Sequence, residues 1–171
     1  MKRSPILIVF GGLPGTGKTT IARELTVRLA ATYLRIDSIE QTLRDADLAV
    51  GATGYVLANA LAAENLRLGR SVIADCVNPV LASRAGWRQT ALQSSACMIE
   101  IEVVCGNPVV HRQRVESRLP DIDGLKLPTW DDVVSRAYEP WDREHLVLDT
   151  AESSLDHLLE RAETYVRGKI G

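Results

Sequence analysis

The sequence predicts an α/β fold, a three-layer sandwich built on a mostly parallel sheet. Short apolar runs alternate with helical patterns along the whole chain, as repeated βαβ units require. The punctuating residues Gly11–Gly17, Asp37, Asp75, Gly106 and Asp149 fall directly after those runs. That is where open α/β sheets gather their ligands. Between the first run and the first helical pattern stands GGLPGTGKTT, Gly11 to Thr20.

Residues 6–10, Ile-Leu-Ile-Val-Phe, are apolar without alternation, which fits a strand buried on both faces. A helix is expected from Lys18 to about Ala31. Tyr33 to Ile36 is shorter and half polar, an edge strand ending at Asp37, with a helix following from Ser38 to about Arg44. Residues 54–68 form a long helical pattern that Gly69 stops in left-handed conformation. Ser71 to Ala74 is the third strand, closing at Asp75. Asn78-Pro79 and Asn107-Pro108 both read as a helix cap followed by proline at the first helical position. Met98 to Val104 is the fourth strand, and a helix from Pro108 reaches about Arg118. LPDIDGLKLP, residues 119–128, carries turn chemistry and no apolar period, a mobile loop. Thr129 and Asp132 resemble a capping box. His145 to Leu148 is the fifth strand. Leu155, Leu158, Leu159, Ala162 and Val166 give the apolar stripe of a closing helix.

The chain has 171 residues with no linker-like stretch or repeat, so one domain over 1–171 is expected. The formal net charge of −2 gives no global reason to bind nucleic acid or an anionic membrane. The N-terminal apolar run is five residues, too short for a signal-peptide core. No segment approaches the ~20 apolar residues of a membrane span. Three cysteines without a C-x-x-C pair speak against disulfides or zinc and for a reducing cytoplasm. Cys76, beside Asp75, reads either as a reactive thiol or as a small packed residue.

Gly12, Gly17, Lys18 and Thr19 complete G-x-x-x-x-G-K-[ST], the P-loop pattern. Its glycines let successive N–H groups of residues Gly12, Leu13, Pro14, Gly15, Thr16 and Gly17 curl around an anion, except at Pro14, which has no N–H. The helix that starts there adds its positive dipole end. Lys18 would reach the β- and γ-phosphates, Thr19 would sit on Mg²⁺, and Thr20 would touch a further phosphate. There is no guanine-reading N-K-x-D, so ATP is the expected nucleotide. Asp37 is a candidate general base for an acceptor hydroxyl, or else a helix cap. Asp75 is a candidate for a magnesium-bound water or the acceptor, or a turn residue. Asn78 is an acceptor contact or only a cap. Arg114 and Arg118, four apart, lead into the 119–128 loop. They would swing to the γ-phosphate as a lid closes, or form a solvated helix end. Arg44 is a candidate acceptor contact. Arg84 and Arg88 are expected at the surface. Trp130, Tyr138 and Trp141 would either wall the substrate or pack the lid base.

With GGLPGTGKTTIA, RIDSIEQTLR, SVIADCVNP, EVVCGNPVVHRQRVESR, LPTWDDVVSRAYEPWD and LVLDT, the chain resembles small P-loop kinases over nearly its whole length. It is most similar to bacterial proteins called AAA-family ATPases or adenylylsulfate-kinase-like proteins. Related shapes are chloramphenicol phosphotransferase, gluconate kinase, polynucleotide 5′-kinase and zeta toxin. The resemblance implies strand order 2-3-1-4-5, a lid near 114–127, and a base at Asp37. It also implies lid arginines at Arg114 and Arg118, and adenine between the lid and the loop after Asp149. The expected activity is ATP- and Mg²⁺-dependent transfer to a hydroxyl of a small molecule. A polynucleotide or nucleotide-sugar acceptor is the nearest alternative, and an ATP-binding module without transfer is the alternative of another class.

Overall fold

A computed structural model describes residues 4–170. Five parallel strands form one sheet: β1 (Ile6–Gly11), β2 (Thr32–Arg35), β3 (Val72–Asp75), β4 (Cys97–Val104) and β5 (Leu146–Asp149). Their order is β2-β3-β1-β4-β5, as the resemblance implies. The continuous apolar run of β1 is explained by its central place, between β3 and β4. Alternate β1 side chains enter two separate cores. Ile8 and Phe10 meet Ile21 and Leu25 of α1 (Lys18–Leu29) and Leu158, Leu159 and Val166 of α7 (Leu155–Ile170). Leu7 and Val9 meet Ala58, Ala62 and Leu66 of α3 (Thr53–Arg67) and Trp87 of α4 (Leu81–Gln93). Burial at about 25 cal/mol per Å² of apolar surface drives both layers together. Among the described residues no helix is long and apolar enough to cross a membrane.

Three local expectations are corrected. The edge strand β2 ends at Arg35, level with Asp75, and helix α2 (Ile36–Asp45) begins at once. Asp37 therefore lies in the first helical turn rather than at the strand end. A carboxylate is favoured there by the helix dipole. Asn78 caps nothing. It takes a left-handed backbone with φ 50°, and α4 starts later, after an extended Val80 without a side-chain cap. The reason is competition: Tyr55 Oη accepts the Asn78 N–H at 3.0 Å, and Asn78 Oδ1 accepts from Ser83 Oγ at 2.8 Å. By contrast Asn107 caps α5 (Pro108–Ser117), its Oδ1 accepting from the N–H groups of Val109 and Val110. Thr129 and Asp132 close a capping box on α6 (Trp130–Val134).

Arg84 is the third correction, since it is fully buried rather than at the surface. Its guanidinium donates to the carbonyls of Asn78 (3.1 Å), Pro79 (3.3 Å), Glu139 (2.7 Å) and Pro140 (2.8 Å). It also lies 4.2 Å from the Trp141 ring centre and 5.4 Å from that of Tyr138. No carboxylate pairs with it among the described residues; carbonyl dipoles and ring faces compensate the charge instead. Arg84→Leu should strand those carbonyls and lower stability by ~2–3 kcal/mol, read from urea unfolding. A variant as stable as the parent would show the cluster to be incidental. Arg88 is mostly covered too, paired with Glu100 at 3.1 Å and Asp142 at 2.7 Å.

Candidate active site

The loop between β1 and α1 is held from behind. Gly12 N–H donates to Val77 O at 3.0 Å, tying the loop to the end of β3. The carbonyls of Leu13, Pro14 and Thr16 accept from Thr16 Oγ1 (2.9 Å), His111 Nε2 (2.8 Å) and Thr150 Oγ1 (2.7 Å). Facing a carbonyl, His111 Nε2 must carry the proton. The Gly12 and Thr16 N–H groups are spent on Val77 O and Leu13 O, but those of Gly15 and Gly17 have no protein acceptor among the described residues, which suits an anion. Glycine is required twice over: Gly15 has φ +82°, and a β-carbon there would lie 2.5 Å from Val115 Cγ2. At Gly12, φ +137°, it would run into the Val103 carbonyl. Gly17, φ 92°, opens α1 without any side-chain cap, leaving the helix N-terminus bare for a phosphate. This cradle fits a nucleotide tail.

Three cavities surround it. One, of about 400 Å³, is lined by Gly15, Gly17, Lys18, Thr19 and Thr20 of the loop, by Arg114 and Arg118 of the α5 end, and by Arg23 and Asp121. A second, of about 340 Å³, runs from Gly17 and Thr20 past Arg114 and Thr150 to Leu155 and Leu158. The third, about 560 Å³, has Lys18 and Thr19 on one wall and Asp37, Glu40 and Arg44 of α2 on another; Arg118, Lys126 and Arg136 complete it. Lys18, Thr19 and Arg118 thus line both the first and the third. Lys18 is 8% exposed and pairs with no carboxylate among the described residues. Leaving an ammonium so covered and unpaired is costly without an anion to meet it.

Not every expected residue reaches this place. Arg114 is tied to Thr150, its Nη1 to Oγ1 at 2.7 Å and Nη2 to the carbonyl at 3.1 Å. It lines the first two cavities but not the one with Asp37. Asp75 is buried and accepts from Tyr33 Oη at 2.7 Å; burial beside Asp75 pushes the Tyr33 hydroxyl well up. Neither Asp75 nor Asn78 lines any of the three cavities, and Asn78 is turned to Ser83. Trp141 stacks on His145 and Trp130 meets His111 edge-on, so both rings pack the frame rather than wall the cavity. Cys76 is buried, its thiol donating to Phe10 O, and burial pushes its acidity down.

Arg35 escaped the sequence-based expectations and organises the acidic side. Its side chain, 2% exposed, donates to both oxygens of Asp121 at 2.7 and 3.0 Å. It also stands 3.5 Å from Asp37 and 3.9 Å from Asp75. The 119–128 loop is therefore irregular, as expected, yet moored to the sheet through Asp121, which Arg23 and Arg118 approach as well. The Arg35 hydrogen bonds hold the Asp121 carboxyl down at about 2. A depressed folded-state value means the tether is fully present above the ordinary carboxylate range, near pH 4, and is lost as pH falls through about 2. Asp121→Asn should speed hydrogen exchange across 119–128 and cost about 1 kcal/mol, discounted for solvent reaching Asp121. The difference from the parent should be constant from pH 7 to 5 and shrink below ~4; a difference that grew with acid would refute the tether.

Residues 7–140 match the AAA domain family model. The chain belongs to the AAA domain family. This AAA-domain chain is 25% identical over 182 residues to a probable adenylyl-sulfate kinase of Aeropyrum pernix, covering 96% of itself and 94% of that protein. Its fold matches a Chloroflexus aurantiacus J-10-fl protein at TM-score 0.77 and 22% identity, over 99% of this chain and 100% of the other. The Mycobacterium tuberculosis APS kinase CysC, solved with AMPPNP and APS, aligns at TM-score 0.73 and 18% identity, covering 96% and 99%. A gluconokinase of Sinorhizobium meliloti 1021 aligns at 0.69 and 15%, covering 98% and 95%. The fold of this AAA-domain protein is that of the small P-loop kinases.

Proposed function

We propose that the protein transfers the γ-phosphate of ATP to a hydroxyl of a small molecule, with Mg²⁺. One observation carries this: Lys18, Thr19 and Arg118 line both the P-loop cavity and the separate cavity that Asp37 lines. A hydrolase or sensor needs no such second cavity. The loop amides and Lys18 hold the β- and γ-phosphates, and the loop after Asp149, with Arg114 clamped on Thr150, takes the nucleoside end. Mg²⁺, on the Thr19 hydroxyl, would draw charge from the phosphate oxygens. Among the described residues no three His, Cys, Asp or Glu cluster as a metal cage. The ion would keep waters and phosphate oxygens as its other ligands, as magnesium commonly does.

In the reaction Asp37 accepts the hydroxyl proton as the acceptor oxygen bonds to the γ-phosphorus. The bond from that phosphorus to the β–γ bridging oxygen breaks, and its electrons leave with ADP. Lys18 and Arg118 meet the charge spread over the moving group. Incubation of a metabolite pool with γ-labelled ATP tests this. Label should appear in a stable phosphoester with the wild type and be nearly absent with Asp37→Asn. Release of free phosphate alone would overturn the proposal.

A further inference from the structure

The cavity that contains Asp37 carries more positive charge than it neutralises. Its carboxylates are all engaged: Asp37 faces Arg35 at 3.5 Å, Glu40 pairs with Arg44 at 3.3 Å, and Asp132 accepts from the Thr129 N–H and hydroxyl at 2.8 Å each. Burial pushes the Glu40 carboxyl up, with Arg44 pulling the other way. Lys18 and Arg118 are shared with the phosphate cavity. Two cations remain. Lys126 of the 119–128 loop and Arg136, just past α6, both line the cavity, and neither side chain has a hydrogen-bond or ion-pair partner among the described residues. Both approach Asp132, and Arg136 also Glu40, only at longer range. In a chain of net charge −2, this is a local concentration of charge.

The remaining lining is largely aliphatic, from Ile36, Val77, Leu125 and Leu127 among others, with the Ser135 hydroxyl and one aromatic ring, Tyr55. The Tyr55 hydroxyl is already bonded to the Asn78 N–H, and its ring packs edge-on against Trp87.

We propose that the acceptor is a small hydroxylated anion. Its carboxylate or phosphate end would be held by Lys126 and Arg136 and its hydroxyl presented to Asp37. This rests on the phosphotransfer proposed above and narrows its substrate.

The experiment divides a metabolite extract by anion exchange into neutral and anionic pools. Each receives enzyme, Mg²⁺ and γ-labelled ATP. Label should enter the anionic pool. Pre-treatment with alkaline phosphatase should abolish it for a phosphate-bearing acceptor and leave it intact for a carboxylate. The double variant Lys126→Met with Arg136→Met should lower that labelling ~10-fold or more at limiting acceptor, while its measured Mg-ATP affinity confirms folding. Label in the neutral pool alone would overturn the substrate class. Labelling by the double variant at the parent rate would overturn the assignment to these two cations. No label in any fraction, with ATP still bound, would instead remove the phosphotransfer itself.

Discussion

Asp37→Asn is expected to lower phosphoryl transfer by ~10²–10⁴-fold while leaving Mg-ATP affinity within about twofold. The carboxylate is half-buried in the first turn of α2 and lines the cavity across from Lys18 and Thr19. Asparagine keeps the shape and the helix start but cannot take a proton. The partner at 3.5 Å, Arg35, still has both Asp121 oxygens, so removing the Asp37 charge leaves no buried cation unpaired. The loss should appear in kcat with acceptor saturating, and ATP affinity should be titrated on the same sample. Turnover equal to the parent would take the base role from Asp37 and leave it as a helix-start residue.

Lys18→Ala should cut transfer by ~10²–10³-fold, through charge that no neighbour replaces. It should also show a contrast in stability. Lys18 is nearly covered and unpaired by carboxylates among the described residues, so its removal relieves a cost in the free protein rather than breaking a contact. Thermal melting without nucleotide should therefore hold or rise. The upward shift that Mg-ATP gives the parent should be lost, because that shift scales with RT ln(1 + [L]/Kd). A Lys18→Ala protein with full activity and an intact ATP-induced shift would place the triphosphate elsewhere.

The contiguous parts of this architecture were readable in the sequence. The P-loop cradle is one uninterrupted segment, and its glycines are dictated by local backbone geometry. The strand and helix sequence follows from periodicity, and the layer order from the resemblance. What escaped was assembled from distance. Arg35 gains its role because its strand partner is Asp75 and the loop brings Asp121 back across 86 residues. His111 and Thr150 hold carbonyls 97 and 134 residues away, a relation no local pattern encodes. Lys126 and Arg136 become neighbours of Asp37 only through the fold. The two Asn-Pro pairs show the limit most plainly. Asn107 is free to cap α5, whereas at Asn78 a tyrosine hydroxyl takes the N–H, a serine the side-chain oxygen and a buried arginine the backbone carbonyl. Identical dipeptides take different backbones because their tertiary neighbours differ.

The partition that Lys18, Thr19 and Arg118 share makes occupancy of either chamber felt in the other. A single compound tethering adenosine to the acceptor through a bridge of phosphates would pass this partition without breaking it. It would gain the benefit of tethering, in which the second half arrives at high effective concentration. Bridge length should then matter sharply, with affinity peaking at the phosphate count that spans the divide and falling on either side. That optimum would serve as a molecular ruler for the gap the reaction crosses.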